Sequence, residues 1–466
     1  MRKTVVINIV GLSPSLLGEN TPFLNDFLSR GSMTRIRPAF PAVTCTAQSA
    51  YLTGKLPAQH GIVGNGWYFK EELEIKFWRQ SNRLVQSAKI WETLKERDAE
   101  FTCANLFWWY NMYSSADYSV TPRPNYLADG RKIPDVYSHP ADLRNHLQQK
   151  LGRFPLFKFW GPATDITSSK WIANAAVEVD KKYDPTLTLV YLPHLDYNLQ
   201  RWGTDPGKVG KDLQEIDRLV RDLVGWYEKK NAQVVLLSEY GITDVRHPVH
   251  LNRTLREMGL LAVREERGRE LLDAGASQAF AVADHQVAHI YVKDQGSVET
   301  LARKLGALDG VDKIWYGEQR REVGLKHDRA GDIVVSADKD SWITYYYWFD
   351  DAKAPDFAPT VDIHRKPGYD PVEMFTDPDK SLMPLRILWK LLKRKLGFRV
   401  LMDVIPLKPE LVKGSHGRVP EDKNFYPLAM SNSGIFEDTE EIAAEEIYDI
   451  ILNLVTKSKN YENVCT

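Results

Sequence analysis

At 466 residues, 43% hydrophobic and 26% charged, the chain has the composition of a globular protein with a full apolar core. The length suits one large α/β domain with an insertion, or two to three domains. A formal net charge of −1 gives no electrostatic reason to expect a nucleic-acid polymer as partner. Cys45, Cys103 and Cys465 make neither a disulfide framework nor a CxxC metal spacing, and they fit a reducing compartment.

The N-terminal MRKTVVINIVGLSPSLL has the basic start and apolar run of a signal peptide. Asn8 and Gly11 interrupt the run and no small-residue cleavage site follows, so a buried first strand over Val5–Val10 and a cytoplasmic location are expected. No apolar run is long enough for a transmembrane helix. TPFLNDFLSRGS predicts a helix with Thr21 as cap, Pro22 at its first position and Gly31 after its end. Further helices are expected over 87–97 and 211–229, and strands over 101–108, 186–192 and 232–238. This alternation predicts an α/β core with a largely parallel central sheet, built from residues 1–108, 171–276 and 349–466. Ligands of such sheets gather where the strands end.

Two regions break the rhythm. Residues 109–170, rich in Pro, Tyr, Asp and Gly, read as an inserted cap over the site. Residues 277–348 carry short strands around one helix and read as a small α+β subdomain. PLRILWKLLKRKLGFRV, residues 384–400, is basic and amphipathic; a membrane-surface helix is one reading, and a solvated helix packed on the core is the expectation.

The most informative stretch is FPAVTCTAQSAYLTGKLPAQHGIVGNGWY, residues 40–68. Thr44 and Thr46 stand at the mouth of a short predicted helix, where unpaired N–H groups and the helix dipole favour an anion. An ordinary N-cap is the alternative for either threonine. Asn65, between glycines on a turn, is a side-chain donor that could reach the same anion. Downstream, Asp196 and Glu239 follow the strands at 186–192 and 232–238, placed to hold a cation. His194 would share a face with Asp196 if the strand continued that far. His416 lies in a tight glycine-lined turn, which favours a ligand role over packing.

The stretch resembles the nucleophile region of the nucleotide pyrophosphatase/phosphodiesterase branch of the alkaline phosphatase superfamily. Phe40-Pro41, Thr44, Thr53-Gly54, Pro57, His60-Gly61-Ile62 and Asn65 fall in that family's order. The resemblance implies an alkaline-phosphatase-like fold, with Thr44 as a nucleophile bridging two zinc ions that share six further ligands. Asp196 and His416 match two of those ligands, and Glu239 matches a third with one extra methylene. Val10, Gln200 and Tyr240 occupy the other three places, and none of them is a good zinc ligand.

Two clusters offer replacements. Asp284, His285 and His289 lie in VADHQVAHIYV, where two of those short strands, AFAVAD and VAHIYV, meet; read as strand, its i, i+4 positions share a face. Asp362, His364, Lys366 and Asp370 lie in TVDIHRKPGYD, where i, i+2 spacing would put Asp362 and His364 on one strand face. Each pair reads equally as an Asp–His hydrogen bond or as loop polarity.

The expectation is a single or rebuilt metal site for a divalent ion, zinc or else manganese. Asp196, Glu239, His416 and Thr44 would hold it, completed from His285, His364, Asp362, Asp284 or His194. Lys366, Tyr240 and Gln200 would face a small phosphorylated substrate. The leading function is hydrolysis of phosphodiesters, pyrophosphates or related phosphate esters through Thr44, with Asn65 stabilising the anion. The other reading is a non-catalytic relative that binds a phosphorylated ligand.

Overall fold

The computed structural model describes residues 1–456; Cys465 lies outside the described residues. Nine strands form the central sheet, in the order Glu441–Ala443, Ser32–Arg37, Leu428–Ser431, Gln233–Leu237, Thr4–Ile9, Leu187–Leu192, Cys103–Leu106, Tyr118–Pro122, Val136–His139. The centre is parallel: Thr4–Ile9 pairs in parallel with both Leu187–Leu192 and Gln233–Leu237. Antiparallel pairs lie toward both edges. Every residue of Thr4–Ile9 and Leu187–Leu192 is buried, as expected of strands covered by helices on both faces. Pro22–Ser29, Thr167–Tyr183 and Pro206–Glu228 form one helical group, and Thr44–Thr53, Ile90–Arg97 and Ile447–Thr456 another.

Residues 279–337 form a separate four-stranded antiparallel sheet, in the order Ala279–Asp284, Val287–Val292, Ile333–Ala337, Val311–Tyr316, with the helix Val298–Gly306 on it. Asp284 and Val287 pair across a two-residue turn in which His285 takes φ +60°. The short strands expected over AFAVAD and VAHIYV are the arms of a hairpin, and His285 lies in its turn rather than on one strand face with His289. The hairpin tip docks on the core, where Gln286 N donates to His416 O at 2.9 Å.

Two expectations need correction. Residues 109–170 are only partly a cap, because Tyr118–Pro122 and Val136–His139 complete one edge of the main sheet. Short edge strands tolerate the proline that made this region look irregular. The hairpin of Asn125–Tyr126 and Lys132–Ile133 does line the cleft described below. The basic amphipathic segment is a helix, Met383–Lys395, but it is not packed on the core through its apolar arc. Only Met383 is buried, and most of its leucines face solvent.

Candidate active site

Thr44 is the first residue of the helix Thr44–Thr53; Val43, in extended conformation, is its N-cap. The ordinary-cap reading is thereby replaced: the hydroxyl is free for other partners. The first-turn N–H groups have no intrahelical acceptors, and one of them, Cys45 N, donates to Asn65 Oδ1 at 3.0 Å. Asn65 in turn donates from N (2.7 Å) and Nδ2 (3.1 Å) to the Asp284 carboxylate. A Cβ on Gly64 would lie 3.1 Å from Asp284 Oδ2, so the preceding glycine permits this close approach. Asn65 is buried and acts as a strut between the helix start and the hairpin tip.

Asp196 does not lie on a strand extension. Pro193 ends the strand, and the helix His194–Trp202 begins at once. Residues two apart on a helix point about 200° apart, so His194 and Asp196 face opposite ways. His194 Nε2 lies 3.3 Å from Asp212 and 3.5 Å from Glu215 on the helix Pro206–Glu228. Asp196 instead accepts from Tyr240 Oη at 3.1 Å and Gln200 Nε2 at 2.8 Å. Thr44 Oγ1 is 3.3 Å from the same Tyr240 hydroxyl. Because Tyr240 donates to Asp196, Thr44 donates to Tyr240.

Glu239 is fully buried, with Oε1 accepting from Asn8 Nδ2 at 2.6 Å and Gln48 Nε2 at 2.5 Å. Its Oε2 has no partner among the described residues. Burial pushes Glu239 up to about 8, against hydrogen bonds that pull the other way. Burial likewise raises Asp196 to about 6 and Asp284 to about 6.

Four rings stack beside these carboxylates: Tyr240 on His416 (centroids 3.5 Å, 7° apart in plane), His416 near His285 (3.7 Å), and His285 on Tyr369 (3.6 Å). Tyr369 Oη donates to Gln200 Oε1 at 2.9 Å. The circuit Asp196–Tyr240–His416–His285–Tyr369–Gln200–Asp196 is thus closed by contact at every step. His416 Nδ1 bonds to Ala42 O at 2.8 Å, which leaves Nε2 as a lone pair without a partner, 3.9 Å from Asp196 Oδ1. Burial holds both His285 and His416 neutral, well below the usual histidine range.

Several predicted residues lie elsewhere. Lys366 is sealed between Asp370 (2.7 Å) and Glu373 (2.8 Å), and cannot meet a substrate. Asp362 and His364 lie in an irregular segment rather than on a strand face; both line the same cleft as Thr44 and Asp196, with Asp362 N donating to Glu373 Oε1 and its carboxylate 3.9 Å from Arg365. Gln200 is buried and spends its amide on Asp196 and Tyr369. Tyr240 does line the cleft. Asp284 reaches the site only through Asn65 and His285, whose Nδ1 it holds at 2.8 Å. Among the described residues, the one group with metal-like mutual spacing is His194, Asp212 and Glu215, on the far face of the Asp196 helix.

The two-ion arrangement does not fit these donors. Val10 offers no lone pair, the Tyr240 hydroxyl stands between Thr44 and Asp196, and two amide donors hold one Glu239 oxygen. The partnerless His416 Nε2 beside Asp196 suits one cation.

Thr44, Asp196, Tyr240, His285 and Tyr369, with Tyr191 beside them, open into a cleft of about 2010 Å³ walled further out by aromatic residues, whereas Asn65, Glu239 and His416 are not part of its lining. Trp78 and Trp109 pack at 4.9 Å, and Trp160 meets Tyr369 at 5.7 Å. Gln48, Asn8 and Tyr369 are site residues that no motif singles out. Two signals were available: Asn8 interrupts the apolar run of the first strand, and Gln48 lies one helical turn after Thr44.

The family model for Type I phosphodiesterase / nucleotide pyrophosphatase matches residues 4–370. Ectonucleotide pyrophosphatase/phosphodiesterase 2 of Saccharomyces cerevisiae is 24% identical over 266 residues, 52% of this chain and 48% of the yeast protein. Ectonucleotide pyrophosphatase/phosphodiesterase 1 of the same yeast is 23% identical over 53% of this chain and 34% of its own length. The matches thus span about half or less of these curated relatives. Among solved structures, human ectonucleotide pyrophosphatase / phosphodiesterase 5 superposes with a TM-score of 0.60 at 14% identity, over 98% of this chain and 96% of that one. Phosphonoacetate hydrolase from Sinorhizobium meliloti, solved with phosphonoformate, gives 0.60 at 14% identity over 97% and 96%. With a family match over most of its length and the same fold in these relatives, the chain belongs to the Type I phosphodiesterase / nucleotide pyrophosphatase family.

Proposed function

We propose that the chain hydrolyses phosphodiester or pyrophosphate bonds through Thr44, and the observation that carries this reading is the hydrogen-bond chain Thr44–Tyr240–Asp196 on the cleft wall. The Thr44 oxygen attacks phosphorus while its proton passes to the Tyr240 oxygen and the Tyr240 proton passes to Asp196 Oδ1. The bond to the leaving oxygen breaks and a phosphothreonine remains. Water then attacks phosphorus, giving up one proton that balances the leaving group expelled as its anion; the threonine ester bond breaks, and Thr44 recovers its proton along the same chain. Burial favours this relay, because it raises Asp196 to about 6 and makes it a better proton acceptor than an exposed aspartate.

Unpaired N–H groups at the helix start face developing charge on the phosphoryl oxygens. Asn65 contributes by fixing that helix start through Cys45 N. A divalent ion held by Asp196 and His416 would take the place of the proton on Asp196 and supply positive charge against the same oxygens. The aromatic walls suit a flat or apolar leaving group. Buried, unpaired Cys45 and Cys103 support a reducing, cytoplasmic setting.

A second reading, a ligand-binding relative without turnover, is favoured by Val10, Gln200 and Tyr240 at the positions of family ligands. Hydrolysis of bis(4-nitrophenyl) phosphate decides between them. Wild type turns over, and Thr44→Ala loses activity by roughly 10³-fold or more, with elemental analysis of the same preparation reporting bound metal. A Thr44→Ala variant as active as wild type would sink the proposal.

A further inference from the structure

A surface helix ordinarily turns its apolar arc inward. Met383–Lys395 does the reverse. Leu385, Leu388, Trp389 and Leu392, at i, i+3, i+4 and i+7 spacing, form one arc, and they are 58%, 61%, 56% and 44% exposed. Beyond the helix, Leu396 and Phe398 continue the surface at 65% and 64% exposed. The inward side carries Ile387, which packs on the core cluster beneath, and Lys390, which is ion-paired to Asp403.

Charge surrounds this arc with one sign only. Residues 380–402 contain seven Lys and Arg and no Asp or Glu, in a chain whose net charge is −1. Lys380 and Lys390 have carboxylate partners. Arg386, Lys393, Arg394, Lys395 and Arg399 form no salt bridge with the described residues. Lys393 lies 5.1 Å from the Trp389 ring, a cation beside an interfacial aromatic.

We propose that this helix seats the protein on an anionic lipid surface, lying in the plane of the interface with its leucines and Trp389 in the acyl boundary and its cations at the headgroups. Thirteen residues make a helix of roughly 20 Å, too short to cross about 30 Å of hydrocarbon. No described helix is long and apolar enough to span a membrane. The geometry is that of a helix lying on the surface. A second copy of the chain is the poorer occupant, since face-to-face pairing would bring two sets of unpaired cations together. The same helix borders the active-site cleft through Ile387, Leu391 and Arg394, so docking sets the cleft mouth against the lipid.

The test is co-sedimentation of the full chain with vesicles, which needs no catalytic activity. Vesicles of phosphatidylcholine containing roughly 30% phosphatidylglycerol retain the protein, pure phosphatidylcholine vesicles retain far less, and about 0.5 M salt releases it. Leu388→Glu/Trp389→Glu and Arg386→Glu/Lys393→Glu each weaken binding by roughly tenfold or more. Unchanged thermal unfolding midpoints show that both variants are folded, as expected for exposed positions. Equal retention by both vesicle types, or binding that neither variant weakens, overturns the proposal. So does a wild-type dimer in sedimentation equilibrium that Leu388→Glu/Trp389→Glu converts to monomer, which would assign the face to a second copy.

Discussion

The two walls of the site have departed from the family pattern to different degrees. On the helix wall, residues 40–68 keep the family's order, and the structure uses Thr44 and Asn65 around one helix start. On the carboxylate wall three ligand positions differ, yet no gap results. Tyr240 and Gln200 both donate to Asp196, and Asn8 and Gln48 both donate to Glu239. A buried carboxylate must be met by metal, by cation or by hydrogen-bond donors. On this wall hydrogen-bond donors meet both carboxylates. The difference between a site that has merely lost ligands and one that has been rebuilt is therefore measurable.

The largest expected effect comes from Tyr240→Phe, which keeps the ring on His416 but removes the hydroxyl linking Thr44 to Asp196. Turnover of a chromogenic diester falls by roughly 10²–10⁴-fold. Full activity in this variant would mean that the carboxylate wall plays no part in activating Thr44. Next comes Val10→Asp, which restores a family carboxylate at a fully buried position near Glu239. Destabilisation of about 2–4 kcal/mol in urea unfolding is expected, with no gain in zinc affinity by calorimetry. A clear gain in diesterase activity would show instead that the wall had lost a ligand and nothing more.

The smallest effect is that of Glu239→Gln, read as stability against pH in the presence of a chelator. The folded state holds this carboxyl at about 8, whereas an unfolded glutamate titrates near ~4.3. Between those values the folded chain carries a proton that the unfolded chain lacks, so stability falls as pH rises through the window and levels off above it. Glutamine removes that term. The variant gains on wild type as pH rises from 4 to 8 and differs little from it at pH 4. Parallel urea curves for the two proteins across this range would mean that Glu239 is not held protonated.

Much of the fold was legible because the central strands are buried on both faces and so read as continuous apolar runs. Leu187–Leu192 and Gln233–Leu237 fall within a residue or so of their expected limits. Edge strands gave no such run, and Tyr118–Pro122 was hidden among prolines. The two arms of the hairpin at His285 were legible as AFAVAD and VAHIYV; the tight turn between them was not, because it contains neither glycine nor asparagine and a histidine takes the positive φ. In the site, Thr44, Asp196, Glu239 and His416 were visible as polar residues at element ends. Lys366 misled because a lysine between two acids in sequence does not reveal whether the triad is sealed inside. The Met383–Lys395 helix misled because periodicity identifies an apolar arc but not the direction it faces.

The closed circuit through Asp196, Tyr240, His416, His285, Tyr369 and Gln200 bears on how such a site changes over generations. Its members come from five separated stretches of the chain, and each touches two others. Substitutions among residues in contact do not combine additively. Replacing Tyr240 would remove the hydroxyl that links Thr44 to Asp196, and replacing Gln200 would remove the oxygen that accepts from Tyr369. Single replacements are each penalised by partners that fit the present residue. Lineages carrying this circuit should therefore keep or lose its members as a set, and intermediate combinations should be scarce.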